Sequence, residues 1–157
     1  MKDEALAPNP TVLEAIPIAV PSDELRSEVE AKVARMIYLT EQLDLTTRAV
    51  LDWLRVEYAI EKPGNKLQTL TDLDSDRFVA EVKRIRGRKL PLTAAGLQAL
   101  RTEYTRTIEP ARTLAAEALT LERALSDLVN QAYALTPEEI TLMWDTAPPR
   151  MPIPRPN

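Results

Sequence analysis

Apolar residues recur at Leu114, Ala118, Leu121, Leu125, Leu128, Ala132 and Leu135, in steps of three and four. A strand would place its core side chains at every second position. Steps of three and four instead lay them along one face of a helix, close to heptad spacing. The stripe ends where Thr136-Pro137-Glu138-Glu139 restarts a helix. The Thr136 hydroxyl can accept from the Glu139 amide, Pro137 sits where a missing N–H costs nothing, and the Glu139 carboxylate can reach back to the Thr136 amide.

A second stripe lies near the other end of the chain. Ser22 is a helix cap followed by Asp23 and Glu24, which suit the positive end of the helix dipole. Its apolar face reads Leu25, Val29, Val33, Met36 or Ile37, Thr40 and Leu43. Thr46 and Thr47 interrupt, and Val50, Leu51, Trp53, Leu54 and Tyr58 resume, as a continuation or as a second helix. Lys62-Pro63-Gly64-Asn65 is a turn. Leu67, Leu70 and Leu73 follow in a short irregular stretch. Asp74 or Ser75 caps a helix bearing Phe78, Val79, Val82 and Ile85, which ends near Gly87. Thr93 caps the longest helix, from about Ala94 to Tyr133, which at ~1.5 Å per residue spans roughly 60 Å. Pro110 lies inside it and is expected to kink or break it.

Neither long helix is stable alone with its stripe in water. The pattern therefore predicts an all-α fold: an elongated, coiled-coil-like antiparallel pair of long helices, each burying the other's stripe, with residues 63–92 as a small helical cap at one end. The ends of the chain read differently. Residues 1–21 carry Pro8, Pro10, Pro17 and Pro21 and form an extended arm, an edge strand or a docking segment. Residues 146–157 hold five prolines and read as a polyproline-like tail. The domain between them is 22–145.

Composition narrows the chemistry. The chain has no His and no Cys, which removes the commonest general base, the thiolate nucleophile and disulfides. No serine sits in a nucleophile-elbow context, and no triad of the usual kind can form. No apolar run approaches ~18 residues, so no membrane span is expected. Met1-Lys2-Asp3-Glu4 lacks the basic and apolar regions of a signal peptide. A cytoplasmic protein is expected, with a core of Leu, Val, Ile and Ala, since Phe78 is the single Phe.

Charge is unevenly distributed. The net charge is −4, yet residues 77–106 hold eight basic and two acidic side chains. Within them Lys83-Arg84-Ile85-Arg86-Gly87-Arg88-Lys89 places five cations in seven residues at a helix end. Such a run can contact DNA phosphates by Coulomb attraction and counterion release. Cations also suit a helix C-terminus through the macrodipole. Other motifs read blandly. Glu30-Ala31-Lys32 imitates part of a nuclease metal site but lies mid-helix, where it forms a solvated charged face. Lys62-Pro63-Gly64-Asn65-Lys66 has too few glycines for a phosphate-binding loop. Trp53 and Trp144 suit packing better than base stacking.

Several segments resemble the C-terminal region of type IIG restriction–modification DNA adenine methyltransferases and their BREX-type relatives, the region that follows the target recognition domain. They are Ile16-Pro17-Ile18-Ala19-Val20-Pro21-Ser22, Ile60 to Leu67, Leu73 to Phe78, Leu121 to Asn130, Tyr133 to Ile140, and Thr146 to Pro152. The resemblance spans roughly residues 12–153, and its closing segment is the most specific part. The family's Asn/Asp-Pro-Pro-Tyr/Phe motif has no counterpart, because Ala147-Pro148-Pro149-Arg150 is not that motif, and the Gly-rich S-adenosylmethionine loop is missing. The resemblance implies a non-enzymatic helical accessory module of a prokaryotic defence system. It would brace or dock a DNA-recognition domain or methyltransferase subunit, with Lys83, Arg84, Arg86, Arg88 and Lys89 reaching duplex DNA phosphates. No catalytic, cofactor-binding or metal-ligating residue is carried over. The other reading is a free-standing coiled-coil adaptor or homodimer without a DNA role. The chain could be a separate subunit, a split gene product or a truncated remnant, and these stay open.

Overall fold

In a computed structural model, residues 18–87 and 91–147 are described, and among them every regular element is a helix. The arm at 1–17 and most of the Pro-rich tail lie outside these residues, as do Arg88 and Lys89.

Ser22 accepts from the Leu25 amide and opens α1, Asp23–Tyr58, one helix of 36 residues. The interruption expected at Thr46 and Thr47 does not occur. The Thr47 hydroxyl donates to the Leu43 carbonyl at 2.8 Å, as Thr40 does to Met36 at 2.9 Å, so these hydroxyls bond within the helix rather than compete with it. α1 ends at Ala59, a non-glycine residue in the left-handed region at φ 53°. The stretch expected to be irregular winds into α2, Asn65–Gln68, and a 3₁₀ turn, Leu70–Asp72. α3, Ser75–Arg86, is capped by Asp74 and closed by Gly87 at φ 70°, a conformation that favours glycine.

Thr93 caps α4, Ala94–Glu103, by accepting from the Gly96 amide at 3.0 Å. The expected break at Pro110 takes another form. The helix widens into a π turn, Tyr104–Ile108, in which the Glu109 amide donates to the Tyr104 carbonyl. It then runs on as α5, Glu109–Ala132, to make one joined helix of 39 residues. Pro110 has no N–H to give, and in α geometry its ring would meet the carbonyl four residues back. One extra residue in the preceding turn makes room without ending the helix. α6, Pro137–Thr146, starts with the full reciprocal capping box of Thr136 and Glu139.

α1 and α5 lie antiparallel. Arg35 on α1 and Glu117 on α5 set their register with two hydrogen bonds, of 2.7 and 2.9 Å. The far end of the pair therefore joins the start of α1 to the end of α5. At the near end, the last turns of α1 enter a cap built from α2, the 3₁₀ turn, α3, α4 and the π turn.

That cap holds the core. Val50, Leu54, Tyr58, Ile60, Leu67, Leu70, Phe78, Val79, Val82, Leu100, Tyr104 and Ile108 pack there as one cluster. The expectation that the stem would bury its two stripes is corrected. Along the stem only Leu39 and Ala111 are buried. Leu25, Val29, Met36 and Leu43 face α5 but remain half-buried, as do Leu114, Leu121, Leu125 and Leu128 on the other side. Val33 and Thr40, read as part of the inner stripe, are exposed, and Leu39 takes the inner position instead. The reason is geometric: a helix in a two-helix layer touches its neighbour along one narrow strip, and the flanks of a broad stripe need a further layer.

Candidate interaction surfaces on the cap and the stem

The basic run sits on the last turn of α3, where the chain brings Lys83, Arg84 and Arg86 together but gives them different surroundings. Arg84 makes a two-pronged pair with Glu81 one turn back, Nε to Oε2 at 2.9 Å and Nη2 to Oε1 at 2.6 Å. Glu81 is only 5% exposed, so this is an ion pair with one end inside the cap. The Arg84 guanidinium beside it holds the Glu81 carboxyl below its ordinary value of 4.5, outweighing the opposite effect of burial, with Lys66 adding to the lowering. The pair lies under the Lys62-Pro63-Gly64 turn, where a Cβ on Gly64 would stand 3.2 Å from Arg84 Nη2.

Arg86 turns the other way. Its guanidinium carbon lies 5.6 Å from the centre of the Tyr58 ring, and its Nε is buried with no hydrogen-bond partner among the described residues. The ring face is what that side of the guanidinium meets. Burial pushes the Tyr58 hydroxyl pKa up, and the Glu57 charge adds to this against the opposing pull of Arg86. Lys83 points to solvent. Arg88 and Lys89 are not among the described residues. Of the five cations read as phosphate contacts, two therefore also hold the cap together. Sequence could have indicated one of these roles, since Glu81 and Arg84 stand at i and i+3, a spacing that brings side chains together on a helix.

A groove of about 580 Å³ opens beside Glu81, lined by Lys66, Thr69, Asp72, Arg77, Glu81 and Arg84 among others. Its three cations face two carboxylates, and Arg77 is further paired with Asp74 at 3.3 Å. This is a mixed surface rather than a nest for one anion. Among the described residues, no three acidic side chains come together as a metal site would need.

The other motifs fall into structural roles. Lys32 pairs with Glu28 at 3.3 Å on a solvated face of α1. Trp53 is half-buried on the core, and its ring meets Tyr58 edge-on at 5.1 Å. Trp144 is half-buried on α6.

The surface that sequence reading missed is on the stem. Val33, Ile37 and Tyr38 on α1 are 41%, 55% and 49% exposed, and Val129 and Tyr133 at the end of α5 are 49% and 44% exposed. Ile18 and Val20 precede α1 at the same end, and Leu142 and Met143 on α6 are also exposed. Nine of the eleven large exposed apolar side chains thus lie on the middle and far end of the stem, just before it, or on α6. An accumulation of this kind marks an interaction surface more often than a bare monomer face. No described helix is long and apolar enough to cross a membrane.

A family model described as a domain of unknown function (DUF8810) matches residues 22–129, from the cap of α1 to nearly the end of α5. No curated protein and no solved structure matches the chain.

Proposed function

For this chain, which belongs to the DUF8810 family, we propose the role of a non-catalytic helical docking module that works by packing its stem against other protein. The observation that carries this reading is the half-exposed apolar stem, held out from a closed core by a separate cap. The family unit begins and ends with the two stem helices, so the stem belongs to what defines it. The absence of His and Cys from the sequence supports a role without nucleophilic or general-base chemistry.

The resemblance to the closing region of DNA adenine methyltransferases suggests where such a module acts: in a prokaryotic cytoplasmic restriction–modification system, bracing a methyltransferase or its DNA-recognition domain. The exposed Lys83, with Arg88 and Lys89, supplies sequence-independent phosphate contact, and Arg84, exposed but paired with Glu81, and the half-buried Arg86 reinforce the local positive field. Tagged chain expressed in its native host tests this. The expected catch is a protein bearing the Asn/Asp-Pro-Pro-Tyr/Phe motif, lost when Ile37→Glu and Leu121→Glu are introduced together. Retention of only general chaperones would remove the methyltransferase context. Anisotropy with a random duplex tests the DNA contact, which should be weak and fall steeply with salt, with a slope of about −3 to −4.5 in log affinity against log salt for three to five phosphate contacts. No change in anisotropy at low salt would leave protein docking alone.

A further inference from the structure

We propose that the far part of the stem, residues 23–38 of α1 with 112–132 of α5, opens as one unit while the cap stays folded. The chain then carries an order–disorder switch at the surface it offers. The opening is a property of the free chain, and it goes beyond the docking reading.

A layer of buried residues marks the boundary. In the register set by Arg35 and Glu117, Leu39 on α1 and Ala111 on α5 stand at nearly the same level, and both are buried. On the cap side of that layer lies the closed core around Val50, Leu54, Phe78, Val82, Leu100 and Ile108. On the far side no residue of 23–38 or of 112–132 is buried. Half-buried Leu25, Val29, Met36, Leu121, Leu125 and Leu128 hold the two helices together there. Apolar side chains stabilise in proportion to the area they remove from water, so a half-covered stripe gives each turn only part of what the cap core gives. The polar tie across the tip is the Arg35–Glu117 pair, whose side chains are 45% and 40% exposed, and pairs so exposed add little.

Topology lets the tip open alone. No loop joins α1 to α5 at the far end: α1 starts there, α5 stops there, and the chain runs between them through the cap. α6, which follows α5, has no buried residue. Parting the tips therefore leaves the cap core in place and strains no connection. Most helix stability in water comes from the packing of an apolar face, so the parted segments lose what keeps them helical. Parting and melting go together, which makes the tip one cooperative unit rather than two fraying ends. Closed, the tip offers its outer flanks. Open, it also exposes the inner stripe of Leu25, Val29, Leu121, Leu125 and Leu128.

Hydrogen exchange of the full chain in rising sub-denaturing urea, read by mass spectrometry on peptides, tests this. Amides of 23–38 and 112–132 should be protected about 100-fold less than those of 50–58 and 78–82, because a unit that opens below the global transition exchanges through its own smaller free energy. Their exchange should also respond to urea more weakly than the cap's, since a partial opening exposes less surface. Leu125→Ala should speed exchange in both tip segments, on α1 as well as on α5, and leave the cap's rates unchanged. Tip amides that share the cap's protection and urea slope overturn the proposal, since the chain then opens only as a whole. Acceleration confined to the turns around position 125 overturns it equally, since the tip is then not one unit. Either result leaves the docking role standing. A tip that opens in a chain that captures no partner does the reverse.

Discussion

The Tyr58 hydroxyl donates to the Gly96 carbonyl at 2.9 Å, tying the last turn of α1 to the first turn of α4 across 38 residues of chain. The same ring takes the Arg86 guanidinium on its face and the Trp53 ring at its edge. One side chain thus joins three segments of the cap. Tyr58→Phe keeps both ring contacts and removes only the hydroxyl, so it should cost about 0.5–1.5 kcal/mol. Tyr58→Ala should cost about 3–5 kcal/mol, since it also opens a cavity. Urea unfolding followed by far-ultraviolet circular dichroism measures both, and equal costs would mean that the ring contacts contribute nothing.

Two small substitutions in opposite directions should both stabilise. Ala59 closes α1 in the left-handed region at φ 53°, where its methyl is strained, so Ala59→Gly should gain up to about 1 kcal/mol. Gly96 lies inside the first turn of α4, and a methyl there would meet Thr93 Oγ1 at 3.4 Å and nothing nearer, so Gly96→Ala should gain up to about 1 kcal/mol in helix propensity. Thermal midpoints of the two variants and the double variant check this, and the gains should add only if the Tyr58 bond to Gly96 is undisturbed.

The cap and the stem should differ sharply in their response to truncation. Phe78 is fully buried in the cap, and Phe78→Ala should cost about 3–5 kcal/mol. Leu125 on the stem is half-buried, and Leu125→Ala should cost about 1 kcal/mol or less in a monomeric chain. A Leu125→Ala cost that grows with protein concentration would report assembly through the stem, because a stability that includes assembly depends on concentration.

Glu81 gives the fold an acid sensitivity. Its carboxyl is held below the ordinary 4.5 by hydrogen bonds from Arg84, so the folded state binds its proton less readily than the unfolded state. The stabilisation is fully present above the unfolded value and is lost as pH falls below about 5 and through the lowered folded value. Glu81→Gln should therefore lower the thermal midpoint most at neutral pH. The gap to the parent chain should close as pH drops toward 3, and a gap that stayed constant would show that the carboxylate charge is not what holds Arg84.

Much of the local structure was legible because it depends on neighbours in the chain. Ser22, Asp74, Thr93 and Thr136 cap helices as their positions suggest, since a cap needs only its own side chain and an amide two or three residues on. The all-helical class and the antiparallel long pair follow from apolar spacing and chain order. Thr46 and Thr47 left a continuation and a second helix both open, because a break and a helix with a back-bonded Thr47 look alike until the backbone is in place. The Arg84 pair was open to reading from its i, i+3 spacing to Glu81, whereas the role of Arg86 was hidden because a run of cations does not reveal which of them finds a ring.

Where the core would form was decided only in three dimensions. Local spacing marks Leu114, Leu121 and Leu128 as apolar as clearly as it marks Phe78, Val79 and Val82, and it cannot say how many layers will cover each. The cap turns three short segments over the ends of two long helices and encloses their side chains on all sides. The stem has one neighbour per helix and leaves its flanks in water. The π turn before Pro110 belongs to the same class of outcome: sequence places a residue that cannot donate, while the packing of Tyr104, Ile108 and Ala111 on one side decides that the helix widens rather than breaks. Periodicity is a property of the chain, but burial is a property of what lies across from it.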